Sequence, residues 1–276
     1  MEQIFPAAFL GIVQGLTEFL PISSSGHLIA FPELFGWEGL VDSLSFDVAL
    51  HLGTTLAVVG FFWRDWLQIF GKFFGLLAAD RKNLLLDPDS KLLLLLAVGS
   101  IPAALVGFLF QDFIETNVRS LPLVGVMLVS FGLILWWVDK VATQKRKFGE
   151  VGWKDAILVG AAQAISLIPG VSRSGITITA ARGLKLEREA AVRFSFLLST
   201  PAIVGASLLT FKDWWGSGVS GSNTILLIGF FFSAISGWLA IKFLLAFVQK
   251  HNFNIFVIYR LGFGAFLIFW ALGGHS

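Results

Sequence analysis

Glu18, Ser24 and His27 lie close together in an otherwise apolar segment and could together carry out covalent or acid–base chemistry. A carboxylate, a hydroxyl and an imidazole are the groups of an activated nucleophile or of a general acid and base. A helix break at Pro21 would bring them within reach of one another. The further polar candidates for ligand binding in this segment are Gln14, Ser23 and Ser25. A plain helix break with a serine cap would explain the serines, but it would not explain a glutamate among apolar residues.

A second polar segment, from Pro169 to Thr177, has the composition of an anion-binding turn. Glycine lets backbone N–H groups approach a ligand, and the N-terminus of the following helix favours negative charge. Arg173 adds a planar guanidinium that can bind two phosphate oxygens at once, although an interfacial anchor is the alternative for this residue. The other expected phosphate-binding residues are Gly170, Ser172, Ser174 and Thr177. The spacing of glycine and lysine is not that of a P-loop.

Composition predicts an all-α polytopic membrane protein, because 56% of the 276 residues are apolar and only 14% are charged. Six segments reach or approach the roughly 20 apolar residues that a crossing needs. These are Phe46–Trp63, Leu92–Phe110, Leu121–Val138, Phe194–Phe211, Thr224–Val248 and Phe253–Leu272. Two shorter segments, Ile4–Leu16 and Ala156–Ile168, each run into a proline and a serine cluster and are predicted to be re-entrant helix hairpins. The absence of cysteine excludes thiol chemistry, and a net charge of +2 gives no reason to expect nucleic acid.

The two polar segments also resemble each other, since Gly, Gln, a hydroxyl residue, Pro, Ser and Ser-Gly recur in order once one deletion is allowed. A second internal match relates Thr55–Gly60 to Thr200–Gly205. Two basic clusters, Arg64 to Lys91 and Lys140 to Lys147, lie in the cytoplasm by the positive-inside rule. The first of the two matched copies then runs inward and the second outward, so the halves 1–138 and 153–276, joined by the connector 139–152, have opposite topology. Such an inverted repeat, within one membrane domain, places its binding site near the midplane where the halves meet.

Glutamate, serine and histidine facing an arginine and hydroxyls favour phosphoryl transfer, in which catalysis is mostly positioning and charge stabilisation. We therefore expect an intramembrane phosphohydrolase whose substrate carries a lipid tail. Paired broken helices are also a transporter architecture, so a transporter or flippase of a phosphorylated lipid is the alternative. A flippase would use Arg173 to hold phosphate but has little need for Glu18 and His27 beside Ser24.

The two motifs carry a resemblance to a known family. Gln14 to Glu18 and Pro21 to His27 match [Glu/Gln]-x-x-x-Glu followed by Pro-x-Ser-Ser-x-Gly-His, and Pro169 to Thr177 match Pro-Gly-x-Ser-Arg-Ser-x-x-Thr. These are the marks of the bacterial undecaprenyl-diphosphate phosphatase family, also called the bacitracin-resistance protein family, which this chain resembles along nearly its whole length. Gln14 stands where some members carry Glu, which removes one possible metal ligand or base.

The resemblance implies hydrolysis of undecaprenyl diphosphate to undecaprenyl phosphate and inorganic phosphate. This reaction recycles the carrier lipid for peptidoglycan and other envelope polymers and confers bacitracin resistance. The resemblance further implies a divalent metal, Mg²⁺ or Ca²⁺, with Glu18 as a ligand or a base. It also implies the bacterial cytoplasmic (inner) membrane, a site open to the outer, periplasmic face, and a homodimer.

Roles for single residues follow from the same resemblance. Ser24 and His27 are the candidate nucleophiles, with Ser24 preferred and Glu18 or His27 assisting it. Arg173 would bind the diphosphate and its developing charge, and Gln14 could orient water or a hydroxyl. The hydroxyls expected to hold phosphate oxygens are those of Ser172, Ser174 and Thr177.

Two polar residues in predicted crossings are not assigned to the site. His51 follows Asp47 and is expected near a water interface, so that His51→Ala should retain most activity. Arg260 lies about 11 Å from the start of the last crossing at about 1.5 Å per residue. Its side chain could snorkel to the cytoplasm or pair with a carboxylate in the core.

Overall fold

The protein is all-helical, as the composition predicts. The computed structural model describes residues 3–37, 39, 41, 43–216 and 223–273, with the backbone alone at 44, 111–117, 206–216 and 223. Eleven α-helices lie in this part of the chain. They are α1 Ile4–Phe19, α2 Ser24–Phe35, α3 Leu44–Phe61, α4 Trp63–Ala79, α5 Pro88–Asn117, α6 Leu121–Val141, α7 Trp153–Ile165, α8 Arg173–Gly183, α9 Arg188–Gly216, α10 Asn223–Phe247 and α11 Asn254–Leu272.

Each of the six predicted crossings coincides with one of these helices. Four stretches of the described residues are long and apolar enough to cross a membrane by themselves: Pro88–Phe110, Leu121–Val141, Thr224–Phe247 and Asn254–Leu272. Helices α3 and α4 would add a fifth span as a pair bent by 68°. The crossing predicted within α9, where the backbone alone is described at 206–216, stays a prediction. The chain is therefore a multi-pass membrane protein.

Both predicted hairpins are pairs of short helices, α1 with α2 and α7 with α8, and the two turns have the same local structure. Ser23 and Ser172 adopt positive φ angles of 75° and 72°, which are uncommon for residues with a side chain. Each serine caps the helix that follows it. Ser23 Oγ accepts from the N–H of Gly26 at 3.3 Å, and Ser172 Oγ accepts from the N–H of Gly175 at 3.1 Å. The shared motif thus encodes one turn twice.

The hairpins pack on helices of the other half of the chain. Helix α1 packs against α10, and α7 packs against α5. Both contacts bring backbones together at glycines, as small residues permit in membrane proteins. A Cβ added to Gly11 would lie 2.8 Å from the carbonyl oxygen of Gly229, and one added to Gly160 would lie 2.1 Å from that of Gly99. The last helices of the two predicted halves, α6 and α11, pack against each other.

Candidate active site

The turns of the two hairpins meet inside the protein. A Cβ added to Gly26 in the first hairpin would lie 3.7 Å from the Cα of Gly170 in the second. Across this contact, Arg173 Nη2 donates to Glu18 Oε1 at 2.7 Å, and both side chains are largely buried. Glu18 lies at the end of α1 and Arg173 at the start of α8. Since each partner comes from a different half, the ion pair forms only when both hairpins are in place.

Ser24 and Gln14 bind the other oxygen of the same carboxylate. Ser24 Oγ donates to Glu18 Oε2 at 2.5 Å, as expected for a hydroxyl bonded to an ionised acceptor. Gln14 Nε2 donates to Oε2 at 3.2 Å, from the preceding turn of α1. The carboxylate is therefore positioned to take the hydroxyl proton of Ser24, which is how a serine becomes a nucleophile.

A cavity of about 380 Å³ opens in front of these groups. Its walls include the side chains of Glu18, Ser24 and Arg173, together with the apolar Val48 and Ile203. Small-molecule sites commonly have volumes of about 300–1,000 Å³. The cavity therefore has room for the polar head of a ligand beside the candidate nucleophile.

The predicted phosphate-binding residues divide into two sets. Ser23, Ser25 and Ser172 line the cavity, although Ser23 and Ser172 also cap helices. Gly170, Ser174 and Thr177 do not line it. Ser174 Oγ donates to the carbonyl of Leu20 at 3.0 Å, and Thr177 Oγ1 donates to the carbonyl of Arg173 at 2.8 Å. The Ser174 hydroxyl therefore holds the two turns together, whereas the Thr177 hydroxyl bonds within α8 and to Ser195 Oγ of α9 at 2.6 Å.

The structure places His27 behind the first turn, outside the cavity lining. Its Nδ1 lies 2.6 Å from the carbonyl oxygen of Ser23, and its Nε2 lies 2.6 Å from the hydroxyl oxygen of Tyr259. The ring stacks on Phe263 with centroids 4.6 Å apart and is almost fully buried. Because both ring nitrogens are engaged, the geometry favours Ser24 over His27 as the nucleophile.

His51 lines the cavity instead, together with Asp47. Its Nδ1 lies 2.8 Å from the carbonyl oxygen of Asp47. A carbonyl only accepts, so in the neutral imidazole Nδ1 carries the proton and Nε2 carries a lone pair. The sequence interpretation of Asp47 and His51 as a polar pair near a water interface did not place them in this cavity with Glu18 and Ser24. Their separation of four residues, the same as that of Gln14 and Glu18, is the signal that could have found it.

Arg260 also differs from its sequence interpretation, since it neither snorkels nor pairs with a carboxylate in the described part of the chain. It is fully buried and donates to backbone carbonyls of both turns. The distances are 3.2 Å to Pro21, 3.1 Å to Gly170 and 3.0 Å to Val171, and Leu128 of α6 accepts at 3.1 Å. Helix breaks free carbonyls that have no water to bind in a dry interior, and the five donors of a guanidinium satisfy them.

Comparison with known proteins shows the family of this chain. A model of the family described as bacitracin resistance protein BacA matches residues 7–266, which include both motifs. This chain belongs to the BacA family. It is 45% identical over 260 residues to the undecaprenyl-diphosphatase of Thermodesulfovibrio yellowstonii, covering 94% of each chain. It is also 46% identical over 268 residues to that of Desulforudis audaxviator, covering 97% of this chain and 98% of the relative. The family resemblance drawn from the two motifs is thereby confirmed.

Membership of the BacA family raises the question of whether the cavity suits the divalent metal that the resemblance implies. The described residues contain no group of three or more His, Asp or Glu that could hold a metal by themselves. Glu18 and Asp47 nevertheless line the same cavity, and the buried Gln14 Oε1 has no hydrogen-bond partner among the described residues. Carboxylate and amide oxygens suit Mg²⁺ or Ca²⁺, and Mg²⁺ usually takes its other ligands from phosphates and water. The residues fit a cation that arrives with a diphosphate.

Proposed function

We propose that this protein hydrolyses undecaprenyl diphosphate to undecaprenyl phosphate and inorganic phosphate, and so returns the carrier lipid to peptidoglycan and envelope polymer synthesis. The undecaprenyl-diphosphatases that match nearly the whole chain support this activity. One observation carries the chemistry: Ser24 donates to Glu18, and Arg173 lies beside that pair in the cavity. A flippase would not need a serine bonded to a carboxylate, so the flippase alternative is not favoured.

In the first step, Ser24 Oγ attacks the terminal phosphorus and Glu18 accepts the hydroxyl proton. The new bond joins Oγ to phosphorus, the bond from phosphorus to the bridging oxygen breaks, and undecaprenyl phosphate leaves. Of the Arg173 guanidinium, only Nη2 has a partner among the described residues, so Nε and Nη1 can bind non-bridging oxygens. Charge stabilisation of this kind is usually a large part of phosphoryl transfer.

In the second step, water attacks the phosphorus of the phosphoserine and releases inorganic phosphate. His51 Nε2, which carries the lone pair in the neutral imidazole, can take a proton from that water. The proton held by Glu18 returns to Ser24 Oγ as the Oγ–P bond breaks. In this proposal, two residues of the cavity divide the acid–base work, one for each step.

A divalent cation is part of the proposal. Glu18 and Asp47, which line the cavity, would hold it together with the diphosphate. When bound, it would neutralise phosphate charge and polarise the phosphorus–oxygen bonds.

The topology predicted from the basic residues is also part of the proposal. The chain would lie in the cytoplasmic membrane as two inverted halves, 1–138 and 153–276, with its cavity open to the periplasmic face. The equivalent turns at Ser23 and Ser172, and the packing of each hairpin on the opposite half, support the inverted halves. A homodimer remains a proposal from the family resemblance alone.

The test is phosphate release from undecaprenyl diphosphate by detergent-purified protein, with and without EDTA. Ser24→Ala and Arg173→Ala should each reduce release by at least about a hundredfold. Ser100→Ala provides a matched control, because Ser100 Oγ donates only to the Leu96 carbonyl within α5. Substrate binding without release by well-folded wild-type protein would overturn the hydrolase and favour the flippase.

A further inference from the structure

A second polar cavity, of about 390 Å³, lies away from the active site at the common end of α6, α9 and α11. Helix α6 ends there at Val141, while α9 begins at Arg188 and α11 begins at Asn254. The side chains that line it are Trp136, Asp139, Lys140, Arg188, Asn252 and Asn254. None of them contributes to the proposed reaction.

The single carboxylate of this cavity is already saturated by arginines. Asp139 is almost fully buried and accepts from Arg182 Nε at 2.8 Å and from Arg188 Nε at 3.0 Å. Arg182 is itself fully buried, and its terminal amino groups donate to the carbonyls of Leu186 and Ala142. Two arginines therefore already neutralise Asp139, so the cavity offers a cationic ligand no unpaired carboxylate among the described residues.

The remaining groups are donors with spare capacity. Both terminal amino groups of Arg188 lack a partner in the described part of the chain. Lys140 Nζ lies 4.8 Å from the centroid of the Trp136 ring and forms no ion pair with a described carboxylate. Asn252 Oδ1 accepts from the N–H of Asn254 at 3.1 Å, which leaves the Asn252 amide nitrogen available. With Arg182 included, three cations face one carboxylate, so the site suits an anion that has several acceptor oxygens.

The position of the cavity indicates the class of anion. Leu121–Val141 and Asn254–Leu272 are both potential membrane spans, and the cavity lies at their shared end, where a bilayer crossed by these helices would have its phospholipid headgroups. Trp136 there is typical of an interfacial belt. Apolar side chains with more than half of their surface exposed lie close in sequence to the lining residues on the same two helices: Trp137, Val141, Ile255 and Ile258. They offer acyl chains a surface directly below the polar groups.

We propose that this cavity binds the headgroup of an anionic phospholipid in the leaflet on the side of the basic connector. Arg188 and Lys140 contact the phosphate oxygens, and the Asn252 amide donates to the same phosphate or to a headgroup hydroxyl. The N-termini of α9 and α11 add positive potential. A zwitterionic lipid has the same phosphodiester, but its ammonium group is repelled by the excess of positive charge. Basic pockets between helices on the cytoplasmic side are a recognised way of binding anionic headgroups.

Native mass spectrometry of the detergent-purified protein with equimolar phosphatidylglycerol and phosphatidylcholine tests this site. We expect one phosphatidylglycerol to be retained in preference to phosphatidylcholine. Lys140→Glu and Arg188→Gln should each weaken its retention about five- to tenfold. The double variant Arg81→Gln/Lys82→Gln is a charge-matched control on the exposed turn after α4, and it should retain the lipid.

Lys140→Glu remains informative if Arg188→Gln fails to fold, because Lys140 contacts only the Trp136 ring among the described residues. Thermal unfolding of each variant shows that it is folded. Equal retention of both lipids would overturn the proposal. An equal loss of phosphatidylglycerol in the Arg81→Gln/Lys82→Gln control would overturn it as well. Displacement of the lipid by an equimolar amount of inorganic phosphate would overturn it in favour of a free-phosphate site. Phosphate release in detergent should be unchanged in Lys140→Glu, so this test is independent of the proposed function.

Discussion

Ser24 Oγ lies 2.5 Å from Glu18 Oε2 although a helix break separates the two residues. The break between α1 and α2 brings the first residue of the second helix back to the end of the first. The same carboxylate faces Arg173 through its other oxygen. A proton acceptor, a nucleophile and a phosphate-binding cation are therefore assembled around one side chain, and the predictions below start from it.

Glu18→Gln should abolish most activity while the protein still folds. The amide keeps the size of the side chain and can accept hydrogen bonds through its oxygen, but it cannot take the proton of Ser24. General acid and base groups contribute about 10²–10⁴-fold, so phosphate release should fall by that factor in a steady-state assay. Glu189→Gln, on the exposed first turn of α9, should have no effect. Full activity in Glu18→Gln would remove Glu18 from the mechanism.

His51→Ala should slow the second step more than the first, contrary to the retained activity that the sequence predicted. Without His51 Nε2 to take a proton from water, phosphoserine should accumulate, and phosphopeptide mass spectrometry after rapid quenching would detect it at Ser24. Tyr259→Phe is the comparison, since it removes only the hydroxyl that contacts His27 Nε2. That variant should lose no more than about 1–2 kcal/mol of stability and keep most of its activity. Accumulation of phosphoserine in Tyr259→Phe but not in His51→Ala would show that His51 is not the residue that takes a proton from water in the second step.

Arg260→Lys should destabilise the protein and impair activity without removing any group from the cavity. A lysine cannot reach the carbonyls of Pro21, Gly170 and Val171 together. Each buried carbonyl left without a donor costs about 1–3 kcal/mol. Thermal unfolding in detergent should therefore show a marked fall in Tm, whereas Arg81→Lys on an exposed turn should not change it. A Tm equal to wild type in Arg260→Lys would contradict this role.

Gly160→Ala and Gly71→Ala should change stability in opposite directions. The added Cβ in Gly160→Ala would lie 2.1 Å from the carbonyl oxygen of Gly99 and force α7 away from α5. Such overpacking typically costs about 1–3 kcal/mol. Gly71 lies in α4 with nothing within 4 Å of an added Cβ, so alanine there should stabilise by up to about 1 kcal/mol through helix propensity. Chemical or thermal unfolding of the two variants gives the comparison.

The ion pair between Arg146 and Asp155 should make stability depend on pH. The pair is bidentate, at 2.7 and 2.6 Å, and lies outside the spans of the described residues. Burial alone would raise the pKa of Asp155, but hydrogen bonds from Arg146 and from the N–H of Gly152 lower this pKa below its ordinary value of 3.8. The folded state therefore holds the Asp155 proton more weakly than the unfolded chain does. The contribution of this ion pair to the free energy of unfolding is complete above the ordinary pKa of Asp155 and is lost as the pH falls through the lowered pKa.

Asp155→Asn should accordingly reduce the free energy of unfolding by about 1–3 kcal/mol at pH 7. The Tm values of wild type and variant should converge as the pH falls below about 4. A constant Tm difference between pH 7 and pH 3 would show that the pair does not contribute through the charge of Asp155. Glu189→Gln serves as the control with an exposed carboxylate.

The sequence predicted the parts of the site that depend on local pattern. Proline and serine clusters after short apolar segments indicated both breaks, and pairing the two motifs brought Glu18 near Arg173. The two histidines could not be placed in this way. Their directions depend on the positive φ of Ser23 and on the packing of α3 against α1, and neither follows from spacing. Arg260 was misplaced because its partners are backbone carbonyls freed by distant breaks, so no complementary side chain signals them.

The distance of 155 residues along the chain between Glu18 and Arg173 affects how the protein is made. At about 5–20 residues per second, ribosomes synthesise the second hairpin roughly eight to thirty seconds after the first. During that interval the Glu18 carboxylate has no guanidinium, and an unpaired charge in hydrocarbon is expensive. Until α7 and α8 arrive, the first hairpin is therefore expected either to keep Glu18 in contact with water or to carry it protonated. Burial of the nucleophile and the onset of activity are then the same late event in biogenesis, and a chain that stops before α8 leaves no active phosphatase in the membrane.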